Sequence, residues 1–229
     1  MAKLGLINLP PQKLNRGLKI IKPLTADKVG FQKPPIVITG KLKHLAPIRF
    51  ALASTHKELQ LWRYLIQRYH YLGYKIIVGR YLKYFVYLAG DLVALLGFAD
   101  GIYHHHLRDN WIGWDKQAQQ NKRHLVVNNC RFLILPWVKI KNLASRILSL
   151  AVKIMPLDWQ AKYGYKPLLA ETFVDCERFK GTCYKAANWI YLGKTKGKGR
   201  RGAKYFYHGR IRDYYVYPLA KDALERLKE

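Results

Sequence analysis

The residues best suited to chemistry lie in a few short runs. In ETFVD, side chains alternate across a strand, so Glu171, Phe173 and Asp175 share one face and two carboxylates sit about two pleats apart. Such a pair holds Mg²⁺, or works as acid and base in cutting a phosphodiester. It serves equally as a structural pair answering Arg or Lys in a basic protein. In HHHLRDNWIGWD, His104, His105 and His106 precede Asp109, Trp111 and Trp114. Strand neighbours point to opposite sides, so three consecutive histidines cannot face one metal. This run is expected to form a loop at the mouth of a cleft with a tryptophan packed beneath it. Asn128 and Asn129 occupy a strand position, where buried amides tie up backbone groups or position a substrate. The candidate catalytic set is Asp109, Glu171, Asp175 and Asn129, with Mg²⁺ as the cofactor it would use.

The run GKTKGKGRRGAKYFYHGRIR points to a different activity. Glycine alternating with Lys and Arg lets a backbone follow a phosphate chain, and Tyr205, Phe206 and Tyr207 offer faces for stacking on bases. The candidate nucleic-acid-binding residues are Lys194, Lys196, Lys198, Arg200, Arg201, Lys204, Arg210, Arg212 and Tyr205. The alternative is a solvated loop between two strands. The whole chain supports a polyanionic partner: 41 Lys and Arg against 14 Asp and Glu give a net charge of +27. The excess is concentrated at the ends. Residues 1–49 carry ten bases and one acid, and residues 192–212 carry eight bases and no acid. A field of that sign and size draws nucleic acid at long range.

With 50% hydrophobic and 14% aromatic residues, the 229-residue chain buries enough apolar surface to fold as one domain. No stretch approaches the ~20 apolar residues of a membrane span, and MAKLGLINLPPQ lacks the apolar core of a signal peptide, so a cytoplasmic protein without membrane contact is expected. Cys130, Cys176 and Cys183 match no zinc spacing and are expected to be reduced, with no metal site.

The elements that must position these residues follow from periodicity and punctuation. Prolines 10, 11, 23, 34, 35 and 47 mark residues 1–49 as an extended basic arm. Thr55 and Glu58 form a capping box ahead of an amphipathic helix over about 55–70, ending before Gly73. Residues 81–88 and 92–99 are predicted to be an antiparallel hairpin, and 124–135 a further strand or two ended by Pro136. Asn142 is predicted to cap a second helix that stops near Pro156. A strand over 168–175, a short helix over about 182–189, the strand IYLGKT, a late strand YYVYPL and a helical tail ALERLKE complete the series. The expected organisation is an arm (1–49), a core (50–193) and a basic loop with closing strand and helix (194–229). That order is an α/β sandwich with a mixed sheet, and it fits the GNAT-type acyltransferase fold. An acyltransferase of that type needs a glycine-rich turn at its second helix to receive a coenzyme A pyrophosphate. The corresponding place reads VKIKNLASRIL, without glycine, which disfavours acetyl transfer.

The runs LWRYLIQRYHYLGY, RDNWIGW, HLVVNNCRFLILPWVKIKNLAS, DWQAKYGYKPLLAETFVD and FKGTCYKAANWIYLGKTKGKGR resemble the DruA family over about residues 50–200. That family occurs in Druantia anti-phage defence systems and in proteins associated with mobile elements and transposases. The resemblance implies a role in a prokaryotic DNA transaction, with further defence or transposition subunits as partners. The motif positions it carries are His70, Asp109, Trp114, Asn128, Asn129, Trp137, Glu171, Asp175, Tyr184, Asn188 and Trp189, none with an assigned role. Relatives often carry additional C-terminal sequence, so a separate catalytic domain is not expected within this chain. Three functions follow as expectations: nucleic-acid binding in defence or transposition, a metal-assisted nuclease or strand-transfer enzyme, and an acyl or aminoacyl transferase.

Overall fold

The computed structural model describes residues 23–40, 47–201, 204–207 and 209–229. The expected arm is only partly extended. Within it, α1 (Ala26–Val29) buries Val29, and β1 (Ile38–Gly40) pairs in parallel with β6 (Val138–Ile140). Strand β2 (Ile48–Leu52) begins inside the residues assigned to the arm and forms one edge of the main sheet. Phe31 explains why the segment is held: its ring packs on Trp137 and Tyr64, an apolar anchor that the proline count concealed.

Helix α2 (His56–Tyr69) starts where the capping box predicts. The Glu58 amide donates to Thr55 Oγ1 at 3.3 Å, and the Thr55 amide donates to Glu58 Oε2 at 2.9 Å. These backbone donors pull the exposed Glu58 carboxyl down to about 2. The hairpin is also as expected, with β3 (Tyr81–Leu88) and β4 (Asp91–Asp100) joined by Ala89 and Gly90. Both turn residues have positive φ, which matches the twist of the strands they connect.

Residues 101–125 depart from expectation. The predicted loop is α3 (His106–Ile112), followed by α4 (Lys116–Lys122), which Asp115 caps through the Ala118 amide. Strand β5 (Val126–Ile134) then leads through β6 into α5 (Leu143–Tyr163). Helix α5 does not stop at Pro156. An internal proline costs about 3 kcal/mol, but Met155, Pro156 and Trp159 are all buried, and such burials contribute about 1.5–3 kcal/mol each. The apolar stripe therefore carries the helix on to Gly164, whose positive φ ends it. Asn142 opens α5 in a left-handed conformation and makes no side-chain cap, contrary to the expected role.

Strand β7 (Leu169–Asp175), α6 (Thr182–Ala186), β8 (Ile190–Lys194), the hairpin β9 (Lys198–Arg201) with β10 (Lys204–Tyr207), β11 (Arg212–Pro218) and α7 (Ala223–Lys228) complete the chain. The main sheet has the order β2-β3-β4-β5-β7-β11-β8 and is antiparallel except at β5–β7. The result is the mixed α/β sandwich that the element order predicts. Helix α2 covers one face, where Trp62 packs closely on Gly97: a Cβ there would come within 3.2 Å of the indole. Helix α5 covers the other face, with Tyr84 donating to Asp158 at 2.8 Å. A second cluster around Trp114, Leu169, Tyr214 and Val216 is closed by α3, α4 and α7. Among the described residues no helix is long and apolar enough to cross a membrane.

Candidate functional site

The β5–β7 pairing positions the candidate residues. It is parallel and brief, joining Val126–Asn128 to Leu169–Glu171, after which the two strands diverge. Alternation then divides the residues beside the opening. Glu171 and Phe173 face α3 together with Tyr214 and Val216, their partners on β11, while Thr172 faces α6.

Glu171 is completely buried, and both its oxygens are engaged. Oε1 accepts from the Ile102 amide at 2.7 Å, and Oε2 accepts from Arg108 Nη1 at 2.9 Å and from the Tyr214 hydroxyl. Arg108 is equally buried and also reaches Asp109 Oδ1 and the Ile102 carbonyl, each at 2.9 Å. Burial opposes the Arg108 charge, but Glu171, Tyr214 and Asp109 together hold its pKa above the ordinary arginine value. Tyr214 remains a phenol, because burial and the adjacent Glu171 charge push its pKa up. Asp109 additionally accepts from the His105 amide at 2.9 Å and lies 2.6 Å from His104 Nδ1. This is a closed, hydrogen-bonded network that ties α3 to the sheet, the arrangement a buried ion pair needs to offset its desolvation.

The four candidate catalytic residues are not gathered in one place. Arg108 links Asp109 to Glu171. Asn129 lies on the other face, where its amide donates to the Gly97 and Arg131 carbonyls at 3.2 Å and its oxygen accepts from Tyr184 at 2.8 Å. Thr172 adds a bond to the Asn129 carbonyl at 3.1 Å, so Tyr184 from α6 fills the space between the parting strands. Burial raises the Tyr184 pKa and keeps it a donor. Asp175 sits at the end of β7, where it shapes the following turn by accepting from the Glu177 amide at 3.2 Å and lies 3.6 Å from Arg178 Nε. No metal-binding group of three His, Cys, Asp or Glu residues occurs among the described residues, and the three cysteines are free.

The basic run forms a projection. Residues 195–211 leave the sheet between β8 and β11, and the hairpin β9–β10 pairs Lys204 with Arg201 and Tyr207 with Lys198. Lys194, Lys196, Lys198 and Arg210 are exposed, and Tyr207 is 71% exposed. The side chains of Arg200, Arg201, Lys204 and Tyr205 lie outside the described residues. Arg212 stands opposite Asp175 at the root of the projection, so the hairpin rises from the end of the sheet at which β5 and β7 have parted.

Beside the motif residue His70 and the candidate Arg212, that end of the sheet brings together Tyr71, Phe179, Arg131 and Arg178, none of which stood out in the sequence. Tyr71, just past α2, stacks on His70 with ring centroids 4.8 Å apart and meets Phe179 edge-on at 5.3 Å. Arg178 lies over the Tyr71 ring at 5.5 Å, and burial and the Asp175 charge raise the Tyr71 hydroxyl pKa against the smaller, lowering effects of Arg212, Arg131 and Arg178. Burial, reinforced by Arg131, depresses His70 to about 4, so it is neutral at pH 7. The signals were present in YHYLGY and in ERFKG, an aromatic flanked by cations.

The entry to α5 is where a GNAT-type acyltransferase would receive a coenzyme A pyrophosphate. Strand β6, paired with β1, and left-handed Asn142 lead into α5, with no glycine from Pro136 to Ser145.

The family described as Druantia protein DruA matches residues 2–202. No curated protein matches the chain. Among solved structures, an aminoglycoside acetyltransferase in complex with coenzyme A and kanamycin is 13% identical at a TM-score of 0.48, covering 80% of this chain and 100% of that one. A spermidine N-acetyltransferase chimera from Vibrio cholerae is 12% identical at 0.49, covering 77% and 98%. An N-acetyltransferase from Staphylococcus aureus Mu50 is 12% identical at 0.44, covering 76% and 99%.

Proposed function

The chain belongs to the DruA family, which suggests a part in anti-phage defence alongside other subunits, and we propose that its part is to bind nucleic acid, DNA in the first instance, in a defence or transposition system. The observation that carries this reading is the hairpin: eight Lys or Arg and no acid between residues 192 and 212, projecting from the open end of the sheet with Lys194, Lys196 and Lys198 exposed. Exposed cations in that density neutralise successive phosphates and release their counterions, which supplies affinity without sequence preference. The ten bases of residues 1–49 add to the same field.

The enzyme reading, in which Asp109, Glu171 and Asp175 hold Mg²⁺ for cutting or joining a strand, has less support. Both Glu171 oxygens are already satisfied by three donors, and Arg108 neutralises its charge. Incubating the protein with labelled duplex and single-stranded DNA plus Mg²⁺ separates the two. Retarded, intact oligonucleotide is the expected result. Cleaved or joined product that disappears in Glu171→Gln would replace the binding role with catalysis.

A further inference from the structure

We infer that Phe179, braced by Tyr71, forms a stacking platform for a base of a single-stranded segment at the end of the sheet where β5 and β7 part, while the hairpin beside it holds phosphates. This rests on the nucleic-acid reading and deepens it by naming the strandedness of the ligand.

Phe179 is 49% exposed and Tyr71 37% exposed, although the core takes up most other aromatic rings of the sheet and its helices. The turn after β7 holds Phe179 out. Asp175 accepts the Phe179 amide through its carbonyl at 2.9 Å and the Glu177 amide through its carboxylate, and Gly181 closes the turn at positive φ. Tyr71 carries His70 stacked on its ring and Arg178 over it, so it braces Phe179 edge-on, and Phe179 is the more exposed of the two rings.

The surroundings identify the partner as an anion bearing flat rings. Arg131 from β5, Arg178 from the turn and Arg212 from β11 act on Tyr71 against Asp175, and Lys180 follows Phe179 directly in the chain. Aromatic faces interleaved with arginines are the means by which proteins hold single strands, since every base has a π-face and every nucleotide a phosphate. Duplex bases are stacked on one another and cannot use such a platform, whereas duplex phosphates can still use the hairpin. The two surfaces therefore separate by strandedness.

The test compares a labelled single-stranded oligonucleotide with the same sequence as a duplex, using the full chain, Phe179→Ala and the Tyr71→Ala/Phe179→Ala pair. Stacking of one base predicts a loss of about tenfold or more in single-strand affinity for the variants, with duplex affinity unchanged. A single-stranded probe carrying 2-aminopurine gives a second readout: its fluorescence changes on binding the unaltered chain and not on binding Phe179→Ala. Phe179 is half exposed, so its removal leaves the fold intact, and circular dichroism verifies this. Equal losses for both ligands, or none for either, overturn the platform and leave the hairpin reading standing. If the unaltered chain binds neither ligand, the nucleic-acid reading fails as well.

Discussion

Replacing Lys194, Lys196 and Lys198 with glutamine isolates the electrostatic core of the account. All three side chains are exposed, so the substitutions leave packing untouched and each changes stability by less than about 0.5 kcal/mol. If each lysine neutralises one phosphate, the slope of log affinity against log salt falls in magnitude by about 2.7 for duplex DNA and about 2.1 for single strands. Between about 50 and about 200 mM salt, the unaltered chain then loses roughly 40-fold more duplex affinity than the triple variant. Fluorescence anisotropy of a labelled oligonucleotide across a salt series measures both slopes. Parallel lines would mean that the lysines touch no phosphate and that any difference in affinity has another source.

Other consequences test the scaffold. Arg108→Met strands Glu171 and Asp109 as buried charges and is expected to cost about 3–5 kcal/mol in urea unfolding; a loss below about 1 kcal/mol would show that the network does not hold α3 to the sheet. Tyr184→Phe removes the donor to Asn129 between the parting strands and is expected to cost about 1–3 kcal/mol. An unchanged unfolding midpoint would contradict that bond. Stability should also fall with acid. Burial holds His70 and His105 at about 4 in the folded chain, against 6.5 ordinarily. Below about 6.5 the unfolded chain therefore binds protons that the folded chain refuses. The urea midpoint is expected to be lower at pH 5 than at pH 7, and equal midpoints would contradict the burial of these rings.

The elements written in local chemistry were legible in the sequence. The capping box at Thr55 and Glu58 placed α2, and the two apolar, aromatic-rich runs separated by Ala89-Gly90-Asp91 placed β3 and β4. Helix α3 was not legible, because two of its buried positions are Arg108 and Asp109. A helix that turns a charged pair inward shows no apolar stripe, and the partner that makes this tolerable, Glu171, lies 63 residues away. The same distance explains the candidate site. The alternation in ETFVD put Glu171 on one face of a strand, but only the tertiary structure supplies the three donors that occupy it. Pro156 misled for a related reason: the penalty of an internal proline is local, whereas the burial of Met155 and Trp159 that outweighs it comes from the core. The grouping of Tyr71 and Phe179 required two loops to meet, which periodicity does not reveal.

Nucleic-acid binding is measured by titrating the full chain against fluorescent DNA and RNA at low ionic strength. Saturable binding is expected, with log affinity falling linearly as log salt rises. The absence of binding to either polymer at the lowest salt would contradict the nucleic-acid reading.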